Sequence, residues 1–373
     1  MMRLVALLVC CSLVLAPASP VAARPVHGVE VIIGLFAKSS LPVASLASKG
    51  AHTVRRIAPD TYLIAFDQRR SRELLVRELA TLPEVAYAEP NYLREVLVAT
   101  NDPLLDQQWH LGTIRAQEAW ARTTGTAILI AVLDTGVSPS HPDLQGRIGA
   151  GVDLFNGDDD PRDDEGHGTH VAGLIAANGN NGVGGAGVCW GCTVLPIKVL
   201  GERGRGNDAT IAAGIRLAVD RGARIITMSL GGPEDSRTLR EAVAYAVERN
   251  VLLIAAAGND GARGTQLNYP AAYPGVLAVG ATDERDSLTD FSTSGEFVDL
   301  AAPGTNILSS YWSASSGDTY AVASGTSESA PLVAGVAGLL LSLRPELNAT
   351  QLAELIQASA DDIDAPGRDP LTG

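Results

Sequence analysis

The chain has 373 residues, 46% of them hydrophobic and 39 of them glycine, which suits one large folded domain plus a small one and excludes a disordered chain. A formal net charge of −14 argues against nucleic acid as a partner. The charge is uneven: residues 1–99 carry 11 Lys/Arg against 8 Asp/Glu, a net of +3, so the remainder carries −17. The first part is therefore able to dock electrostatically on the second, although ordinary solubility accounts for most of the excess acid.

Met1-Met2-Arg3, the apolar run from Leu4 to Ala16 and the small residues Pro20-Val21-Ala22-Ala23 read as a secretory signal peptide, residues 1–23. The run is too short for a membrane span, so a secreted protein, extracellular or periplasmic, with no stable membrane anchor is expected. Residues 24–99 form a distinct unit. Strands are expected at Val29–Ile33, Thr61–Phe66 and Val85–Tyr92, with a helix over Ser71–Leu82, which together suit a small α+β sandwich.

The large domain, residues 100–373, opens at Asn101-Asp102-Pro103, with a short helix over Ala116–Ala121. Ile128 to Leu133 is apolar on both faces and runs into Asp134-Thr135-Gly136, as a strand of a parallel sheet does, and functional groups gather at the carboxyl ends of such strands. Asp153 to Glu165 is the most acidic loop. A solvated charge run is the default reading, but oxygen donors at alternate positions also suit calcium. Next come Gly166-His167-Gly168-Thr169-His170 and a helix over Val171–Ala177; the histidine pair lacks a nearby third ligand for zinc. Cys189-Trp190-Gly191-Cys192 is the only cysteine pair after the signal peptide. A disulfide is expected there after secretion, although the spacing also occurs in redox motifs.

Strands are expected at Thr193–Leu200, Ala223–Ser229 and Val251–Ala257, with a helix at Asp208–Arg221. Near the end, Ala323-Ser324-Gly325-Thr326-Ser327 feeds a small-apolar helical run from Leu332 to Leu343. Ser327 then sits at a helix start, where unpaired N–H groups converge and can stabilise an oxyanion; an N-cap serine opening a buried helix is the plainer alternative.

With Asp134, His167 and Ser327 in the order acid, base, nucleophile, the chain resembles the subtilisin-like serine peptidases from about Val26 to its last residue. The resemblance implies an α/β three-layer fold with a mostly parallel central sheet, preceded by a small ferredoxin-like α+β propeptide at 24–99. That propeptide would act as folding template and inhibitor and be cut off near Glu95–Thr100. It implies Asp134, His167 and Ser327 as catalytic residues, with His170 a packed neighbour, and Asn259 as oxyanion donor. It implies two cleft walls that read substrate main chain, Gly204-Arg205-Gly206 and Ser229-Leu230-Gly231, with a specificity pocket bordered by Tyr269–Pro274 near Asn268. A structural calcium site is implied at Asp102, Asp143 and Asn181, and a second at Asp153, Asp158 and Asp160, against which Arg162 stands at a further ligand position. A monomer acting on protein or peptide substrates is expected.

Two features depart from the family pattern. Glu328 stands where relatives usually carry an uncharged residue; as an anion it would repel the oxyanion by roughly 2 kcal/mol, and Glu328→Ala is expected to raise the rate and lower the acidic limb. Relatives also run on past the equivalent of Gly373 through a further turn and short helix. These departures motivate an alternative reading as a binding scaffold with a weakened site; acyl transfer to amines is another use of the same acyl-enzyme.

Overall fold

The computed structural model describes residues 29–66, 71–91, 100–261, 267–363 and 367–373. The expected signal peptide and residues 95–99 of the expected cleavage stretch lie outside them. The chain divides into two units, one within residues 1–94 and one within 95–373.

The first unit contains β1 (Val29–Leu35), α1 (Val43–Ser48), β2 (Ala51–Ala58), β3 (Thr61–Phe66), α2 (Arg72–Ala80) and β4 (Val85–Pro90). The strands form an antiparallel sheet in the order β2-β3-β1-β4. Alternate residues of β1, Val31 and Ile33, are fully buried and meet Ile64, Phe66, Leu75 and Leu79, as the two-residue strand period requires. Ser71 caps α2 by accepting the Leu74 N–H. Two elements here were not expected. Strand β2 is exposed along almost its whole length, so it carries no apolar alternation, and α1 is only six residues long.

The second unit begins with α3 (Trp109–Thr113), α4 (Ala116–Trp120), β5 (Leu129–Asp134), β6 (Val152–Asp153), α5 (His167–Ala176), β7 (Thr193–Lys198) and α6 (Asp208–Asp220). It continues with β8 (Ile225–Met228), α7 (Arg237–Glu248), β9 (Leu252–Ala256), β10 (Val276–Thr282), β11 (Leu300–Pro303), β12 (Ile307–Ser313), β13 (Gly317–Ala323), α8 (Thr326–Leu343) and α9 (Ala349–Ser359). Seven strands make one parallel sheet, ordered β11-β10-β9-β8-β5-β7-β6; β12 and β13 pair separately as an antiparallel hairpin.

The sheet is buried on both faces, and β5 shows how. Ile130 and Val132 enter the core shared with Val171 and Leu174 of α5, Leu332 and Ala337 of α8, and Leu352 of α9. Ala131 and Leu133 face the other way, among Ile211 and Ile215 of α6 and Leu239 and Val243 of α7. Helices therefore cover both sides of a parallel sheet, giving three layers. Helix α8 is long and apolar enough to cross a membrane, but most of its residues are buried in this core.

Two boundaries differ from expectation in ways that matter. Helix α5 starts at His167 rather than Val171, so the histidine is the first residue of the helix. Helix α8 contains Pro331, which has no N–H for the carbonyl four residues earlier, that of Ser327. That carbonyl accepts the Ser229 hydroxyl instead, at 2.7 Å.

Candidate active site

Strand β5 delivers Asp134 at its carboxyl end, and the turn after it carries helix α5 close by. A side chain at Gly168 would begin 2.1 Å from the Gly136 carbonyl oxygen and 3.1 Å from the Asp134 Cβ, so only glycine lets α5 sit on this turn. His167 Nδ1 lies 2.8 Å from Asp134 Oδ1, which also accepts the Thr135 N–H at 2.7 Å. A carboxylate only accepts, so Nδ1 carries the hydrogen and the neutral ring presents its lone pair at Nε2. Desolvation disfavours the imidazolium, but the attraction of Asp134, helped by Glu328 and Glu165, outweighs it and raises the His167 pKa above its ordinary value.

Asp163, inside the acidic loop, is the bracket that holds these parts. It is buried, and its carboxylate accepts the Thr135 hydroxyl, the Glu165 and Gly166 N–H groups, and both the N–H and hydroxyl of Thr169. Lys198 is a second anchor. Its buried ammonium donates to the Thr135 and Leu200 carbonyls and pairs with Asp164 at 2.8 Å. Neither role was anticipated: Asp163 is one acid among seven in its loop, and a lysine in a strand carries no signal.

Ser327 is the second residue of α8, partly exposed, within the turn whose N–H groups lack helical partners. Its hydroxyl reaches the Ser229 carbonyl at 3.4 Å, and no hydrogen bond joins it to His167 in this resting form. Catalytic contacts are often long before substrate binds. Asn259 follows β9. Its Oδ1 accepts the Thr326 N–H at 2.9 Å and the Thr326 hydroxyl at 3.0 Å, which fixes the orientation of the amide. Its Nδ2 makes no hydrogen bond among the described residues and lies 3.1 Å from where a side chain at Gly325 would begin.

A cleft of about 600 Å³ runs past His167, lined by all six residues expected to form its walls: Gly204, Arg205, Gly206, Ser229, Leu230 and Gly231. Tyr269 joins the lining, and its backbone pairs with that of Gly232. Asn268 stands against Gly231 and donates to the Ala256 carbonyl at 3.4 Å.

Asp102, Asp143 and Asn181 converge on one glycine-rich loop. Asp102 accepts the N–H groups of Asn180 and Asn181, while Asp143 accepts the Gly185 N–H and the Asn181 amide at 2.9 Å. Both carboxylates are buried and no ion pair reaches either among the described residues. Burial raises the Asp143 pKa against the opposing N–H bonds from Asn181 and Gly185. Two buried carboxylates held by N–H donors but paired with no cation, beside a carbonyl-bearing loop, are an oxygen donor set that suits a hard cation.

Asp153, Asp158 and Asp160 behave otherwise. The Asp153 carboxylate accepts the Asn156 backbone and side-chain N–H groups, and Asp158 accepts the Asp160 N–H. Asp160 turns to the Arg162 guanidinium, whose Nε donates to it at 2.8 Å. No group of three or more His, Cys, Asp or Glu able to hold a metal ion occurs among the described residues. Cys189 and Cys192 form a disulfide, buried beside Gly338 of α8. His170 is buried one turn into α5, with its Nε2 3.2 Å from the Ile307 and Ala321 carbonyl oxygens.

Comparison with known proteins gives concordant matches. The model of the Subtilase family, Peptidase_S8, matches residues 125–373. Thermitase of Thermoactinomyces vulgaris is 42% identical over 268 residues, covering 72% of this chain and 93% of that protein. The minor extracellular protease Epr of Bacillus subtilis is 39% identical over 308 residues, 80% of this chain and 46% of its own length. Among solved structures, that of a protease from Pseudoalteromonas arctica superposes with a TM-score of 0.67 at 33% identity, over 71% of this chain and 93% of the other.

Proposed function

The chain belongs to the subtilase family and is a serine endopeptidase acting on proteins or peptides, and from that premise we propose that it works through an acyl-enzyme on Ser327. Ser327 Oγ attacks the peptide carbonyl as His167 Nε2 takes its proton; the same proton then goes to the leaving amine. Asp134 holds the imidazole with hydrogen on Nδ1 and stabilises the imidazolium, without becoming protonated itself. The oxyanion is held by Asn259 Nδ2 and the Ser327 N–H. Water then takes the place of the amine, and His167 acts as base a second time.

One observation supports this assignment: the 2.8 Å bond from His167 Nδ1 to Asp134 places the hydrogen of the neutral ring on Nδ1, which leaves its lone pair at Nε2, the nitrogen that a base needs. Substrate is proposed to add as a strand between residues 204–206 and 229–231, where glycines permit close backbone approach. Asp102 and Asp143, with the Asn181 side chain, are proposed to hold one structural calcium ion, which would neutralise the buried carboxylates and fix the loop at 180–185.

The name of the Bacillus subtilis relative includes the word extracellular, and with the apolar start of this chain it supports secretion. Residues 24–99 are proposed as an inhibitory propeptide removed by Ser327 itself. Intact mass tests this together with the nucleophile. Wild type folded with calcium should lose residues up to about 95–100, Ser327→Ala should not, and a fluorophosphonate should label only wild type. Equal precursor masses and no labelling would instead support a binding scaffold, while product masses with added amines would reveal acyl transfer.

A further inference from the structure

Glu328 follows the nucleophile on α8, yet it is 2% exposed and forms no ion pair with a lysine or arginine among the described residues. Its Oε1 lies 3.7 Å from Nδ1 of His170, which is itself 1% exposed. Its Oε2 lies 2.9 Å from where a side chain at Gly325 would begin, the same place that Asn259 Nδ2 approaches to 3.1 Å. The carboxyl and the proposed oxyanion donor thus border the same point.

The hydrogen-bond pattern of His170 decides which groups face each other. Its Nε2 meets two carbonyl oxygens, Ile307 and Ala321, each at 3.2 Å. Carbonyls only accept, so Nε2 carries hydrogen, and a neutral ring then turns a lone pair at Nδ1 towards Glu328. That Nδ1 is buried and has no hydrogen-bond partner among the described residues. A buried carboxylate 3.7 Å from a buried lone pair is repelled by it and keeps only its own backbone N–H as donor; a carboxylic acid removes that repulsion and can turn its hydrogen towards Nδ1.

We propose that Glu328 and His170 hold one buried proton, resident on the carboxyl, and that it keeps the position beside Ser327 uncharged during turnover. This rests on Ser327 being the nucleophile. Glu328 is a positioning residue here, because it touches neither substrate nor the attacking oxygen. The repulsion expected from the sequence assumed an anion; the pairing with His170 removes the charge until the proton leaves.

The other titratable groups packed around the pair agree with this placement. Burial pushes Glu328 up to about 7, with attraction to His167 working against that rise and repulsion from Asp134 adding to it. Burial pulls His170 down to about 4, assisted by repulsion from His167. His110 of α3, which also bears on His170, is pulled down to about 3 and supplies no proton. Glu165 acts on His167, and Tyr311 of β12 meets the His170 ring edge-on.

Once the proton leaves, the new anion disfavours the oxyanion and also raises the His167 pKa. Activity should therefore fall on the alkaline side. The test is the pH dependence of kcat and KM for a fluorogenic peptide, wild type against Glu328→Gln. Wild type should lose kcat, not gain KM, as Glu328 ionises. The glutamine variant should lack that fall and exceed wild type above it by on the order of tenfold to a hundredfold. Superimposable profiles, or a folded glutamine variant that is inactive at every pH, would overturn the proposal.

The position of the proton is tested without activity by ring nitrogen NMR shifts of His170 in Ser327→Ala. A neutral ring with hydrogen on Nε2 near neutral pH is expected, and an imidazolium there overturns the proposal. Fluorophosphonate labelling of wild type separates failure of the nucleophile assignment from failure of this one.

Discussion

Asn259 has two separable jobs, and substitution should pull them apart. Its Nδ2 is the proposed oxyanion donor, while its Oδ1 accepts two hydrogen bonds from Thr326 at the start of α8. Losing one such donor typically costs about 3 kcal/mol in the transition state, or 10²–10³ in kcat. Losing the acceptor leaves the Thr326 N–H and hydroxyl without it, at about 1 kcal/mol each, which for a domain of this size lowers the melting temperature by roughly 4–8 °C. Asn259→Ala should therefore show both losses. Asn259→Asp keeps an acceptor for Thr326 but has no donor, so it should lose kcat at least as severely while keeping more of its stability. Steady-state kinetics and calorimetry on the same preparations, made without reliance on self-processing, read both quantities. An Asn259→Asp enzyme with wild-type kcat, or an Asn259→Ala enzyme with an unchanged melting temperature, would refute the division of labour.

Asp134→Asn should reduce kcat by about 10⁴, because the amide favours the wrong imidazole tautomer; single-turnover acylation measures it, and a loss below tenfold would contradict the role of the His167 bond. Asp143→Asn should abolish the calcium dependence of thermal stability, which in wild type should amount to about 2.7 kcal/mol at a hundredfold excess of calcium over its Kd; a melting temperature that ignores chelator in wild type would exclude the site. His110 is buried with neither ring nitrogen hydrogen-bonded among the described residues, and burial depresses its pKa to about 3. The unfolded chain binds a proton there below about pH 6.5 and the folded chain does not, so stability should fall with acid at about 1.4 kcal/mol per pH unit down to about 3. His110→Met should flatten that slope, as melting temperatures across the acid range will show.

Much of the second unit was readable because its chemistry comes in short blocks. A strand apolar on both faces announces a parallel sheet, and the acid at its end, the Gly-His-Gly segment and the Gly-Thr-Ser turn each pair a reactive side chain with the glycine that makes room for it. What escaped notice lacked such local marks. Hairpin β12–β13 is only partly buried, so its alternation is blurred. Helix α7 is the exception, because its buried Leu239, Ala242, Val243 and Ala246 stand at the i, i+3, i+4, i+7 spacing that marks an amphipathic helix and was passed over. Asp163 and Lys198 act through partners distant in sequence, and nothing in their neighbours reveals burial. The same holds for Glu328: the sequence reveals an acid beside a serine, but only packing shows that its counterpart is a lone pair on His170.

Pro331 has a consequence that reaches the cleft. An α-helix ordinarily keeps its carbonyls to itself, which insulates its first turn from whatever lies alongside. Here the ring of Pro331 leaves the carbonyl of Ser327 open, and the hydroxyl of Ser229 occupies it while the Ser229 carbonyl receives the Ser327 hydroxyl. The proposed cleft wall and the proposed nucleophile are thus tied in both directions, so a change in the backbone at Ser229 is expected to be felt at Ser327.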